Sequence, residues 1–139
     1  ETVLEVGTGS GFMTACLAKM AKRVVSVELF EELNREAAAR LADQGYDNVE
    51  LFTGDVMSGW QPEQAHDVVV VTGSVFEVPE AFLGWVNPGG RMFVVRGRSP
   101  AMEALLMTRL SVSEWTVESL FETDLPALEG AAPAQKFTF

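Results

Sequence analysis

The sequence predicts a doubly wound α/β domain, and three observations point to it. Short valine-rich runs alternate with segments of helical period. A glycine cluster joins the first run to the first helical segment. The run Asp67–Thr72 holds four consecutive valines, apolar toward both faces, as befits a central parallel strand covered by helices.

In chain order, Val3–Val6 is a short β-rich run that ends at glycine. Ser10 to Met20 reads as a helix, because Phe12, Met13, Cys16, Leu17 and Met20 recur at helical spacing. Val24–Val27 is a second strand. Leu29, Leu33, Ala37 and Leu41 form one stripe of a second helix, with Gly45 placed to end it. Val49–Thr53 is a third strand and Asp67–Thr72 a fourth. Pro79 opens a short helix to Val86, Asn87-Pro88-Gly89-Gly90 is a turn, and Arg91–Arg96 is a fifth strand. Glu103–Val112 is apolar in both periods, and the Met-Glu-Ala-Leu-Leu-Met stretch beginning at Met102 favours helix by propensity. Trp115–Thr123 alternates like a strand. The Ala/Pro-rich Asp124–Phe139 closes with Phe137-Thr138-Phe139, a terminal strand or packed tail.

A chain of 139 residues, 47% hydrophobic and 22% charged, suits one domain with a single core and argues against disorder. Ten Lys and Arg against twenty Asp and Glu give a net charge of −10, which speaks against nucleic acid as a partner. The one cysteine, Cys16, makes no internal disulfide and fits a reducing, cytoplasmic setting. No apolar run approaches the ~20 residues of a membrane span, and no signal peptide is visible. The chain opens at Glu1 inside a strand and without Met, so a longer or processed polypeptide is expected, with part of the function upstream.

Gly7-Thr8-Gly9-Ser10-Gly11 follows the first strand and opens the first helix. Glycines there permit positive φ and close ligand approach, while the helix start offers unpaired N–H groups. The pattern lacks the Gly-Lys-Ser/Thr of a phosphate loop and differs in spacing from the dinucleotide fingerprint. Acids stand at strand ends, where such sheets bind ligands. Glu28 ends strand two and can accept from both ribose hydroxyls, or be a solvated strand end. Asp55 follows strand three and can accept from an adenine amino group, or form an Asx turn. Glu5, just before the loop, faces a ligand or holds the loop. These carboxylates repel a pyrophosphate but not a sulfonium nucleoside with a zwitterionic tail, and S-adenosylmethionine is that ligand.

The chain resembles the class I S-adenosylmethionine-dependent methyltransferases, and more narrowly the protein-L-isoaspartate O-methyltransferase family. The resemblance rests on Val3-Leu4-Glu5-Val6-Gly7-Thr8-Gly9-Ser10-Gly11 and Arg23-Val24-Val25-Ser26-Val27-Glu28. It extends through Gly45-Tyr46-Asp47-Asn48-Val49, Gly54-Asp55 with Gly59-Trp60, Asp67-Val68-Val69-Val70-Val71-Thr72, Val78-Pro79-Glu80-Ala81 and Asn87-Pro88-Gly89-Gly90-Arg91. It implies a Rossmann-like, mostly parallel seven-stranded sheet with a C-terminal antiparallel hairpin, which would make Glu103–Val112 a strand. It implies cofactor contacts from Glu5, Val6, Gly7, Thr8, Gly9, Ser10, Gly11, Glu28, Leu29, Asp55, Val56 and Thr72. The implied reaction is methyl transfer to the carboxylate of L-isoaspartyl residues in peptides or damaged proteins, as a step of protein repair.

No catalytic residue is assigned, and none is demanded, because a carboxylate acceptor is already ionised at neutral pH. With one His and no acid cluster at ligand spacing, no metal site is expected. The sequence departs from the family at Gly73-Ser74, where small alanines are usual, and at Gly84-Trp85, where a Gln is usual. The family's upstream acceptor-shaping segment is absent, so the single domain 1–139 is expected to be a poor catalyst alone. A different acceptor, a non-catalytic cofactor-binding module and, more remotely, a nicotinamide dehydrogenase are the alternatives. His66 is expected to be structural or solvated, and Cys16, Met102 and Met107 core. Trp60 and Trp85 are expected to pack, with Trp85 a possible influence on acceptor choice. Arg96 and Arg98 are either surface groups or partners for an acceptor carboxylate. The oligomeric state is not fixed by the sequence.

Overall fold

The structure is a computed structural model that describes residues 1–130. Seven strands form one sheet: β1 (Thr2–Val6), β2 (Arg23–Glu28), β3 (Val49–Thr53), β4 (His66–Val75), β5 (Val86–Arg98), β6 (Ala101–Arg109) and β7 (Trp115–Thr123). Their spatial order is β3-β2-β1-β4-β5-β6-β7. The first five are parallel, and β6 and β7 add antiparallel. Among the described residues three α-helices punctuate them: α1 (Phe12–Met20), α2 (Glu31–Asp43) and the single-turn α3 (Glu80–Leu83). The chain winds outward from β1 to β3 and then returns to place β4 on the other side of β1. A crevice therefore opens at the carboxyl ends of β1 and β4, the switch point where sheets of this kind bind ligands.

The core lies in layers on both faces of the sheet. Val3 and Val24 pack under α1 with Ala18, while Leu4, Val6, Val27, Val69 and Val71 pack on the opposite face with Phe82 and Trp85. Phe82 and Trp85 stack with ring centroids 4.3 Å apart. Trp85 is buried just before β5, at the amino end of that strand, so it belongs to the core and not to the crevice. Trp60 meets it edge-on at 6.4 Å. His66 is also interior, at 1% exposure, and its backbone N–H donates to the Trp85 carbonyl at 2.7 Å. Burial pushes the His66 imidazole below its usual value of 6.5 and so favours the neutral ring.

Several elements differ from the sequence reading. Glu103–Val112 is not helical: Ala101–Arg109 is β6, paired on one edge with β5 and on the other with β7. Met102 and Ala104 are buried on one face and Leu105 on the other, so strand pairing and burial on two sides outweigh helix propensity. In α1 the inward positions are Thr14 and Ala18, while Phe12 and Met20 are 75% and 79% exposed. Small side chains let this helix lie close on the sheet, and Cys16 is left only half-buried. The inner face of α2 is Asn34, Ala37 and Leu41, with Leu33 turned outward. Asn34 donates to the Thr53 hydroxyl at 2.7 Å, which holds a polar residue inward. The Asn87–Gly90 turn is absorbed into a long β5, and α3 stops at Leu83. Met102 is buried and Met107 half-buried. The expected terminal strand at Phe137-Thr138-Phe139 lies outside the described residues. Among the described residues, no helix is long and apolar enough to cross a membrane.

Candidate functional site

The glycine loop is fixed to the sheet from two sides. Gly7 has φ +99°, and its N–H donates to Val27 O at 2.8 Å. The Thr72 hydroxyl of β4 donates to Val6 O at 2.7 Å, and a Cβ on Gly7 would fall well inside contact distance of the Thr72 Oγ1. Thr72 thus tethers the loop from behind, and only glycine fits at position 7. On the other side Glu28, 7% exposed, accepts from Gly9 N–H at 2.8 Å with one oxygen and from Phe30 N–H at 3.1 Å with the other. Each carboxylate oxygen keeps a lone-pair site for a ligand hydroxyl.

Beneath the loop is a closed polar cluster. Glu5 is fully buried, and its Oε1 accepts from the hydroxyls of Thr14 and Ser26. Thr8 and Ser26 share a hydrogen bond of 2.6 Å, so the Thr8 side chain points into this cluster and holds the loop from below. Burial raises the Glu5 carboxyl above its usual value, with the Thr14 and Ser26 hydrogen bonds opposing and the Glu28 charge adding. Its Oε2 is buried and has no hydrogen-bond partner among the described residues. Glu5 therefore acts on the loop from within the domain.

Asp55 stands just past β3. Its Oδ1 accepts from Met57 N–H at 2.9 Å, capping the single 3-10 turn Val56–Ser58. The Asx-turn role is therefore real, and the other carboxylate oxygen is left for a ligand. Gly54 N–H donates to Glu28 O at 2.9 Å, which brings the ends of β2 and β3 together.

These groups surround a crevice of about 220 Å³. Of the residues named from the sequence, Val6, Gly7, Glu28, Leu29, Asp55 and Val56 line it. Thr72, Thr8 and Glu5 support it, while Gly9, Ser10 and Gly11 complete the turn into α1. Sequence reasoning missed Ala127, Leu128 and Glu129, which form the far wall. They belong to a strap that crosses back after β7 and is bound at Ser74. Ser74 N–H donates to Pro126 O at 3.0 Å, Leu128 N–H to Ser74 O at 2.8 Å, and the Ser74 hydroxyl to Leu125 O at 3.0 Å. A Cβ on Gly73 would come 2.6 Å from the Leu128 side chain. The Gly73-Ser74 departure was thus the available signal: glycine makes room for the strap and serine binds it.

Among the described residues, the charged ones lining the crevice are Glu28, Asp55 and Glu129, with no Lys or Arg. Such a rim disfavours an anion and favours a cation, most strongly where water is excluded. At roughly 220 Å³ the space is below the ~300–1,000 Å³ of enclosed ligand sites, so a nucleoside held there stays partly open to solvent. A larger cavity of about 450 Å³ lies between Arg23, Glu50, Phe52, Trp60 and His66. It lies against β2, β3, the start of β4 and the loop Trp60–Gln64, and lacks the glycine loop, so size alone does not make it the better candidate.

Comparison with known proteins bears on the same residues. The family model described as Protein-L-isoaspartate(D-aspartate) O-methyltransferase (PCMT) matches residues 1–118. Protein-L-isoaspartate O-methyltransferase 1 of Nitrosospira multiformis is 45% identical over 107 residues, covering 77% of this chain and 45% of the relative. Protein-L-isoaspartate O-methyltransferase 2 of Syntrophobacter fumaroxidans is 42% identical over 77% of this chain and 43% of its own length. The chain thus spans less than half the length of these two relatives. A solved protein-L-isoaspartate O-methyltransferase superposes with a TM-score of 0.81 at 28% identity, covering 91% of this chain and 41% of that one. A PCMT-type protein from Plasmodium falciparum, solved in complex with S-adenosyl-L-homocysteine, superposes at 0.80 over 93% of this chain and 66% of its own. At 17% identity, that second likeness speaks for the fold.

Proposed function

Since the chain belongs to the protein-L-isoaspartate O-methyltransferase family, we propose that it binds S-adenosylmethionine and methylates the free carboxylate of L-isoaspartyl residues in peptides or damaged proteins. The observation that carries this reading is the convergence of Gly7, Glu28 and Asp55 on one acid-rimmed crevice at the switch point.

When bound, S-adenosylmethionine supplies a methyl group activated by its sulfonium charge. The chain's residues hold and screen that group. Glu28 and Asp55 accept from the nucleoside with the oxygen lone pairs left over from their backbone bonds. Thr72, Thr8 and Glu5 keep the glycine loop in shape, so the backbone presents the same surface in every encounter. Leu128 lines the crevice from the strap side and narrows its opening to solvent. The acceptor carboxylate is ionised near neutral pH and needs no general base. Catalysis then rests on aligning two reactants, worth up to ~7–11 kcal/mol in well-oriented cases. A reducing cytoplasmic setting, suggested by the lone Cys16, suits protein repair. Gly73 and Ser74 set the acceptor side apart from the family pattern, so a different methyl acceptor is the second reading.

The test is transfer of radiolabelled methyl from S-adenosylmethionine to an isoaspartyl peptide, with the ordinary aspartyl peptide as control. Label is expected in the first peptide alone, at a low rate for the domain 1–139 by itself. Cofactor binding without any transfer would favour the second reading or a binding module.

A further inference from the structure

On the side of the crevice away from Glu28 and Asp55, β4 and β5 run together to their carboxyl ends, with Ser74 opposite Val95 and Val75 opposite Arg96. Phe76 follows at once, two residues past the Ser74 that binds the strap. The Arg98 guanidinium lies over the Phe76 ring, 4.4 Å from its centroid. Arg96 and Arg98 are both exposed, and among the described residues neither has a carboxylate at ion-pair distance. In a chain with ten bases against twenty acids, two free guanidinium groups thus stand at the ligand edge of the sheet.

An acceptor that carries carboxylates must approach a mouth rimmed by Glu28, Asp55 and Glu129, and like charge opposes it. A cation at the far side offsets that repulsion. A guanidinium stacked on an aromatic ring is held flat and keeps its N–H edge free to fork onto a carboxylate. Resting on the isoaspartyl reading and deepening it, we propose that Arg98, braced by Phe76 and flanked by Arg96, docks a second carboxylate of the acceptor peptide, an acidic side chain next to the reacting residue. Gripping the reacting carboxylate itself would neutralise the charge that makes it a nucleophile. The dock therefore acts on a neighbour and confers preference among acceptors.

The experiment compares two fluorescein-labelled isoaspartyl peptides that differ only in Glu or Lys after the isoaspartyl residue. Each is titrated by anisotropy into the full chain with saturating S-adenosylhomocysteine, whose own affinity is measured separately for every variant. The Glu peptide is expected to bind about 10-fold more tightly, the factor for one charge-assisted pair of about 1.4 kcal/mol. Arg98→Gln should erase that preference, Arg98→Glu should invert it, and Phe76→Leu should reduce it, all with cofactor affinity unchanged. Equal binding of the two peptides, no binding of either, or a preference that survives Arg98→Gln would overturn the proposal. Methyl transfer is scored independently. Acid-selective, Arg98-dependent binding without transfer leaves the dock and removes the isoaspartyl reading; transfer without charge selection does the reverse.

Discussion

Gly7→Ala is expected to abolish measurable S-adenosylhomocysteine binding and to destabilise the fold by about 2–5 kcal/mol. Two costs add at this position. The backbone sits at φ +99°, where an L side chain costs roughly 1–2 kcal/mol. The new methyl group would also drive into the Thr72 hydroxyl, and forced overpacking costs about 1–3 kcal/mol more. Relief requires moving Thr72, which breaks its bond to Val6 O and frees the loop from β4. Gly45→Ala is the control, since φ there is +81° but a Cβ would have nothing within 4 Å. It should cost only the conformational part, about 1–2 kcal/mol, and leave binding intact. Urea unfolding and calorimetric titration read both effects. A Gly7→Ala protein with wild-type affinity would show that the close packing of loop on β4 has no part in recognition.

Glu28→Ala is expected to weaken S-adenosylhomocysteine binding by about 1–3 kcal/mol, or roughly 5- to 150-fold. The side chain is nearly buried and already engages two backbone donors, Gly9 and Phe30. Removing it strands both N–H groups and, on the proposed reading, takes away the ribose acceptor. Glu28→Gln separates these roles in part. The amide keeps one accepting oxygen but loses the charge and presents a donor to the other N–H. Its affinity should fall between those of wild type and the alanine variant. Unchanged affinity in Glu28→Ala, measured by the same titration, would remove Glu28 from ribose recognition and leave it as a loop anchor.

Legibility in the sequence followed the range of the interactions involved. The glycine loop, Glu28 and Asp55 were readable because each owes its place to a local rule: glycine before a helix, or an acid at the end of an apolar run. Their hydrogen-bond partners were unequally readable. The Asx turn from Asp55 to Met57 spans two residues and was among the readings of that position, whereas the turn of Thr8 into a buried cluster depends on Ser26, whose position the fold decides. β6 misled by propensity, because its helix-forming residues are held extended by neighbours on both edges. The burial of α1 misled by period, because small residues rather than large ones set the contact with the sheet. The strap was not identified from its one signal, Gly73-Ser74, for a different reason. Ser74 and Leu128 are far apart in the chain, and only the return of the segment after β7 brings them together.

The most direct test of the acid-rimmed crevice is a calorimetric titration of the chain with S-adenosylhomocysteine and, in parallel, with NAD. The charge and shape of the site predict saturable one-to-one binding of the first and no heat of binding from the second. Binding of NAD with none of S-adenosylhomocysteine would contradict the account at its root.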